Sequence, residues 1–296
     1  MNEVIKIDRN EVLKRCKIVA FDTHKGIQGH ALIVAGSYGK IGAAVLSSKA
    51  CLKSGCGLVT VFIPKCGYQI LQMANPEVMT CTDDVEYRIS DIYLPFEPDA
   101  VGIGPGLGQS SQTQKAVLKF LHNCNSFLVV DADALNILSK NREGLDYLKA
   151  KTILTPHPKE LERLIGEWDT EEEKWSKTIS FSLKYNVVVI MKGAPTHIID
   201  GFNVYKNTTG NAALATAGSG DVLTGIITSL LAQSYTPLDA AIIGVYIHGL
   251  TADIALPETG TQSFIASDII KYLGKAFLSI SDLRITLEAT NKMKTD

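Results

Sequence analysis

Val187-Val188-Val189-Ile190-Met191-Lys192-Gly193-Ala194-Pro195-Thr196-His197-Ile198-Ile199-Asp200-Gly201-Phe202-Asn203-Val204-Tyr205-Lys206 is the stretch that says most about the architecture. Its first five residues form an apolar run without alternation, and Val187–Lys192 has the pattern of a strand covered on both faces in a parallel sheet. His197–Asp200 and Asn203–Lys206 then flank Asp200-Gly201, a pair suited to a tight hairpin turn. Upstream, the runs Ala31–Ala35, Leu58–Ile63, Ala100–Gly104, Phe127–Asp131 and Thr152–Thr155 have the same two-faced apolar character. Helix-like stretches fall between them, at Ala43–Lys53, Thr113–Leu121, Lys159–Ile165 and Glu171–Tyr185. Downstream the chain reads as helical over Asp221–Ala232, Leu238–Ala255 and Ser267–Ala276. This alternation predicts a three-layer α/β fold: a mostly parallel central sheet with helices on both faces, closed by a hairpin and a run of helices.

The 296 residues are 46% hydrophobic, enough for one domain of this kind over 1–296, with residues 1–23 as an N-terminal extension or helix. A net charge of −2 without a marked basic face argues against nucleic acid as a partner. The N-terminus is charged and lacks the apolar core of a secretory signal. Apolar runs such as Val187–Met191 and Ile226–Ala232 fall short of the ~20 residues a membrane helix needs. No membrane partner and a cytoplasmic location are therefore expected. The six cysteines include no CxxC pair and read as reduced thiols, and the six histidines form no zinc pattern.

Ligands in open α/β sheets bind beyond the carboxyl ends of the strands, so the residues following each strand are the candidates. Gly36-Ser37-Tyr38-Gly39-Lys40-Ile41-Gly42-Ala43-Ala44 could bring backbone amides to an anion, although it matches neither the phosphate-loop nor the dinucleotide fingerprint. Gly102, Gly104, Gly106 and Gly108 alternate, as backbone lying against a flat ligand would require. Asp131 and Asp133 could hold Mg²⁺ through water, or Asp133 could cap a helix. His157, in Thr155-Pro156-His157-Pro158, could bond a substrate or serve only the start of a helix. Gly218-Ser219-Gly220-Asp221 feeds a helix whose free amides and dipole suit a phosphoryl group in transfer, with Asp221 placed to take a proton from a hydroxyl. A carboxylate in a first helical turn is also ordinary stabilisation.

Taken in order, these segments resemble the carbohydrate-kinase-like domain of NAD(P)H-hydrate dehydratases, a branch of the ribokinase-like fold. The likeness runs from His24-Lys25-Gly26 to Ile265-Ala266-Ser267-Asp268 and includes Gly104-Pro105-Gly106-Leu107-Gly108, Thr155-Pro156-His157-Pro158 and Gly218-Ser219-Gly220-Asp221. The resemblance implies that Ala43, Gly104 and His157 contact the hydrated nicotinamide nucleotide, with Asp221 as the catalytic group on its hydroxyl. Lys192, Gly193, Ala194, Pro195, Thr196 and Gly220 would hold the adenine nucleotide. It further implies a repair reaction: the S epimer of hydrated NADH or NADPH (NADHX, NADPHX) is phosphorylated by ADP, with ATP as the alternative donor and Mg²⁺ assisting. Phosphate then leaves, restoring the double bond. A homotetramer is implied as well. Residues 1–23 are too short for an epimerase domain, so a separate epimerase is expected as pathway partner.

Two departures from the family pattern stand out. Ala212-Ala213-Leu214 replaces a usual Pro-Gly-Met after Asn211, which is expected to loosen a turn, and Ala252 stands where a glycine is frequent. The competing reading is a small-molecule kinase of the same fold, phosphorylating a sugar or thiamin-precursor alcohol with ATP. A non-catalytic nucleotide sensor and a dinucleotide-dependent oxidoreductase are more distant alternatives.

Overall fold

The computed structural model describes residues 4–18 and 22–281; of the expected N-terminal extension, residues 1–3 and 19–21 lie outside the described part, as do 282–296. In chain order the elements are β1 (Ile5–Ile7), α1 (Arg9–Leu13), β2 (His30–Val34), α2 (Ile41–Lys53), β3 (Leu58–Ile63), α3 (Tyr68–Ala74), β4 (Met79–Thr82), β5 (Ala100–Ile103), α4 (Ser111–Asn123), β6 (Phe127–Val130), α5 (Ala132–Lys140), β7 (Ile153–Leu154), α6 (Pro158–Ile165), α7 (Glu171–Tyr185) and β8 (Val188–Met191). The hairpin β9 (His197–Asp200) and β10 (Asn203–Asn207) follows, then α8 (Ser219–Ala232), α9 (Pro237–Thr259) and α10 (Ala266–Ile280).

The sheet has the order β1-β10-β9-β8-β7-β6-β5-β2-β3-β4. Every neighbouring pair is parallel except those of β9, which runs against both β8 and β10. Successive strand residues enter opposite layers. Ala31 and Ile33 pack with α2, α8, α9 and α10, while Leu32 and Val34 pack with α4, α5, α6 and α7. That division is why the strands read as continuous apolar runs.

The N-terminal segment is more than an extension, because β1 pairs in parallel with β10 and adds an edge strand. Helix α9 revises the hydropathy reading. At 23 residues it is long and apolar enough to cross a membrane, but 67% of its apolar window is buried within the fold, as befits a core helix. From β2 the chain steps outward to β3 and β4, then returns to the other side of β2 with β5 and continues through β6 to β9. The crevice between β2 and β5 is thus the topological switch point, where α/β folds place ligands.

Candidate active site

A cleft of about 480 Å³ opens at that switch point. The turn after β2 supplies Gly39 and Lys40, the first turn of α2 supplies Gly42 and Ala43, and the turn after β5 supplies Gly106. Helix α5 adds Ala132, Asp133 and Asn136, α6 adds Glu160, and α8 adds Asp221. Each contribution but the last follows the carboxyl end of a strand; α8 enters from the layer beneath and points its first turn into the same space.

The start of α8 is an open anion site in part. Gly218 caps it in the left-handed region (φ +85), and a Cβ there would lie 2.5 Å from Leu46 Cδ1, so only glycine fits. No side chain caps the helix. The Ser219 amide turns back to the Thr216 carbonyl (3.3 Å) and the Val222 amide to the Gly218 carbonyl (3.1 Å), but the Gly220 and Asp221 amides find no acceptor among the described residues. Free donors at a helix start attract phosphate oxygens. The Ser219 hydroxyl faces inward, 3.2 Å from His248 Nε2, whose other contact is the Ser219 carbonyl at 3.0 Å. Burial pushes His248 down to about 4, so it is a neutral donor that fixes the turn. Of the expected anion loop, Gly220 and the Asp221 amide are available, and Ser219 is a structural member.

Four carboxylates gather beneath. Asp131 is buried and accepts from Lys192 Nζ (2.8 Å) and Thr224 Oγ1 (2.9 Å). Burial would depress the Lys192 ammonium, but Asp131 and Glu160 outweigh it and raise its pKa, so Lys192 stays charged. Asp133 accepts from the Gly108 amide (2.8 Å) and Gln109 Nε2 (2.9 Å), which ties the glycine-rich turn after β5 to α5. Glu160, raised by burial, accepts from the His157 amide (2.9 Å) and lies 3.8 Å from Lys192 Nζ. Asp221 accepts no hydrogen bond among the described residues. Burial first, then the charges of Asp131 and Asp133, raise it to about 6 against the pull of Lys192.

These contacts bear on the metal expectation. Among the described residues no three His, Cys, Asp or Glu side chains converge as a metal site requires. The Asp131 and Asp133 oxygens already have donors. The protein's own groups therefore do not fit a resident Mg²⁺. Nor does either acid cap α5 through its side chain: Asp131 occupies the cap position without a capping bond.

The other expected residues divide. Ala43 lines the cleft, whereas Gly104 lies behind it, at φ +134 with Asp131 O 1.8 Å from where a Cβ would sit. His157 caps α6, its Nδ1 accepting from the Lys159 amide (3.1 Å), and it is not among the residues lining the cleft. Lys192 reaches the α8 start, since a Cβ on Gly220 would lie 3.4 Å from its Nζ. Gly193, Ala194 and Pro195 form an exposed turn beside it, closed by Thr196 Oγ1 on the Gly193 carbonyl (3.0 Å). Ala212–Leu214 does not leave a loose turn. It forms a 3₁₀ helix capped by Asn211, whose side chain and the Gly210 amide are both held by Asp253. Ala252 is fully buried in α9, a packing position.

A family model described as NAD(P)H-hydrate dehydratase matches residues 31–275. The chain belongs to this family. A bifunctional NAD(P)H-hydrate repair enzyme, Nnr, from Moorella thermoacetica is 37% identical over 84% of this chain and 49% of its own length. The chain thus spans about half the length of the first curated relatives it matches. An ADP-dependent (S)-NAD(P)H-hydrate dehydratase from Neisseria meningitidis is 36% identical over 82% of this chain and 83% of its own. Among solved structures, an ADP/ATP-dependent NAD(P)H-hydrate dehydratase from Bacillus subtilis, co-crystallized with ATP/Mg²⁺, superposes with a TM-score of 0.80 at 26% identity, covering 95% of this chain and 100% of that one. A ribokinase-like protein superposes to nearly the same extent, so the expected fold is shown.

For a member of the NAD(P)H-hydrate dehydratase family, the sequence reading overlooked Thr224 and the pairing of Lys192 with Asp131. A threonine one helical turn after Asp221 gives no signal, and the ion pair joins residues 61 apart.

Proposed function

We propose that the chain is an ADP-dependent dehydratase acting on the S epimer of hydrated NADH and NADPH. The observation that carries this is Asp221, a carboxylate raised to about 6 in the same cleft as the free amides of α8. A base of this kind is well matched to a hydroxyl at working pH. Family membership and the Neisseria relative support the substrate. In this reading Asp221 takes the proton of the ring hydroxyl while its oxygen attacks the terminal phosphorus of ADP. The Gly220 and Asp221 amides and Lys192 receive the transferring charge, and AMP leaves. Loss of phosphate and a ring proton restores the reduced nicotinamide, so the sum is hydrate plus ADP giving NAD(P)H, AMP and phosphate. Positioning and charge stabilisation suffice for such transfer.

Ala43 faces the nucleotide substrate, with Gly104 supporting the cleft from behind and His157 at the α6 start. Lys192–Thr196 and Gly220 face the adenine nucleotide. Mg²⁺ belongs to the proposal as a companion of the phosphates, the usual mode for this ion. A homotetramer and a cytoplasmic location complete the reading by family resemblance. The test is to mix the protein with hydrated NADH and ADP or ATP. Recovery of reduced-nicotinamide absorbance, matched by AMP or ADP and phosphate, is expected. A stable phosphorylated product or no recovery with either nucleotide would refute it.

A further inference from the structure

The charges of the cleft are unevenly distributed. Its floor sets Asp131, Asp133, Glu160 and Asp221 against the ammonium of Lys192, with Lys40 at the opening as a second cation. A diphosphate lying there would meet a surplus of like charge. The outer wall is different. Arg163 of α6 donates through Nη1 to Asn136 Oδ1 at 2.6 Å, and Asn136 itself lines the cleft. Lys140, one turn after Asn136 on α5, donates to Gln109 Oε1 at 2.6 Å, and Gln109 is in turn anchored on Asp133. Both cations are exposed, and both are held by neutral amides. Among the described residues neither forms an ion pair, whereas Lys40 across the opening lies 3.8 Å from Asp133. Two pre-positioned positive charges with no carboxylate partner, standing beside an acidic floor, select a ligand that is anionic at one end of the cleft and neutral or proton-donating at the other.

We infer that Arg163 and Lys140, steered by Asn136 and Gln109, take the diphosphate bridge of the dinucleotide substrate, which sets the hydrated ring down towards Asp221. This assignment rests on the proposed function and adds to it a preference for the dinucleotide over the mononucleotide. Arginine suits the role because its planar fork can hold Asn136 and a phosphate oxygen at once.

The test uses Arg163→Ala, Lys140→Ala and the double variant in the full chain, with two readouts. Fluorescence titration of intact NADH measures binding without turnover. Steady-state kinetics compare hydrated NADH, hydrated nicotinamide mononucleotide (reduced form) and ADP. The double variant is expected to weaken NADH binding and raise KM for hydrated NADH on the order of tenfold or more, with kcat little changed, since bonds to charged groups carry that weight. KM for ADP and for the mononucleotide, which lacks the bridge, should stay within twofold. A rise in KM for ADP with NADH binding unchanged would overturn the assignment in favour of the phosphoryl donor. An equal rise for mononucleotide and dinucleotide would reduce it to general attraction and overturn it as well, as would no change in any of these. Failure of the unaltered chain to turn over the hydrate would instead refute the function, and the NADH titration would still decide the fate of the two cations.

Discussion

Replacing Asp221 with Asn should abolish turnover and, at the same time, stabilise the folded protein at neutral and alkaline pH. The carboxyl is raised from 3.8 to about 6, foremost by burial and next by the charges of Asp131 and Asp133. Because the folded value lies above the unfolded one, the ionised group disfavours folding. The penalty sets in as pH rises past about 4 and is complete above about 6. A separation of about 2 pKa units corresponds to roughly 3 kcal/mol. Its place in the first turn of α8 offsets some ~0.5–1 kcal/mol of this through the helix dipole. The amide should therefore gain about 2 kcal/mol at pH 8, a rise in Tm of roughly 3 °C for a protein of 296 residues. Thermal unfolding followed by circular dichroism at pH 8 and at pH 4 measures it. The gain should vanish at pH 4, where the native carboxyl is protonated. No gain at pH 8, or an equal gain at both pH values, would refute the account of a poorly solvated carboxylate ringed by like charges. In the unaltered protein, under the proposed function, the same titration should appear as a fall in kcat/KM below about pH 6.

Asp131 and Lys192 act on Asp221 with opposite sign, so Asp131→Asn should move the acid limb of kcat/KM to lower pH and Lys192→Met should move it higher. Each also breaks a largely buried ion pair, at a cost of about 3–5 kcal/mol visible in denaturant unfolding; limbs shifting together would contradict the arrangement. His157→Ala should remove the α6 cap and lower stability by about 1 kcal/mol, while His157→Asn, which can still accept from the helix amides, should restore most of it. If both variants lost stability alike, the imidazole would be needed for more than the cap.

The readable part of this molecule was the part buried on two faces. Strands β2, β3, β5, β6 and β8 announced themselves because both sides of each meet apolar layers. β1 did not, since only Ile7 of its three residues is buried and the surrounding segment is charged. β4, another edge strand, is partly exposed along its length and likewise carries no periodic signal. Helix α5 was foreshadowed only by Asp133 as a possible cap, because its span is short and its acidic start reads equally as a metal motif. At the site, the Gly218–Asp221 turn was conspicuous because its glycines exceed what a cap needs. The inward turn of the Ser219 hydroxyl and the service of Asp133 to the turn after β5 depend on contacts across 29 and 25 residues, which no local pattern encodes.

Those long-range contacts also explain which of the four acids can act as the base. Asp131 has an ammonium and a hydroxyl, Asp133 an amide and a carboxamide, and Glu160 a backbone amide with Lys192 near by. Each donor occupies a lone pair, so these three carboxylates are already engaged by the protein's own groups. Asp221 is denied such donors among the described residues, and it faces the fixed charges of its neighbours. In the proposed reaction the base is the one carboxylate from which the fold withholds hydrogen bonds while supplying them to three. The same three charges turn phosphates away from the floor of the cleft, towards the free amides of α8 on one side and the cations of α5 and α6 on the other.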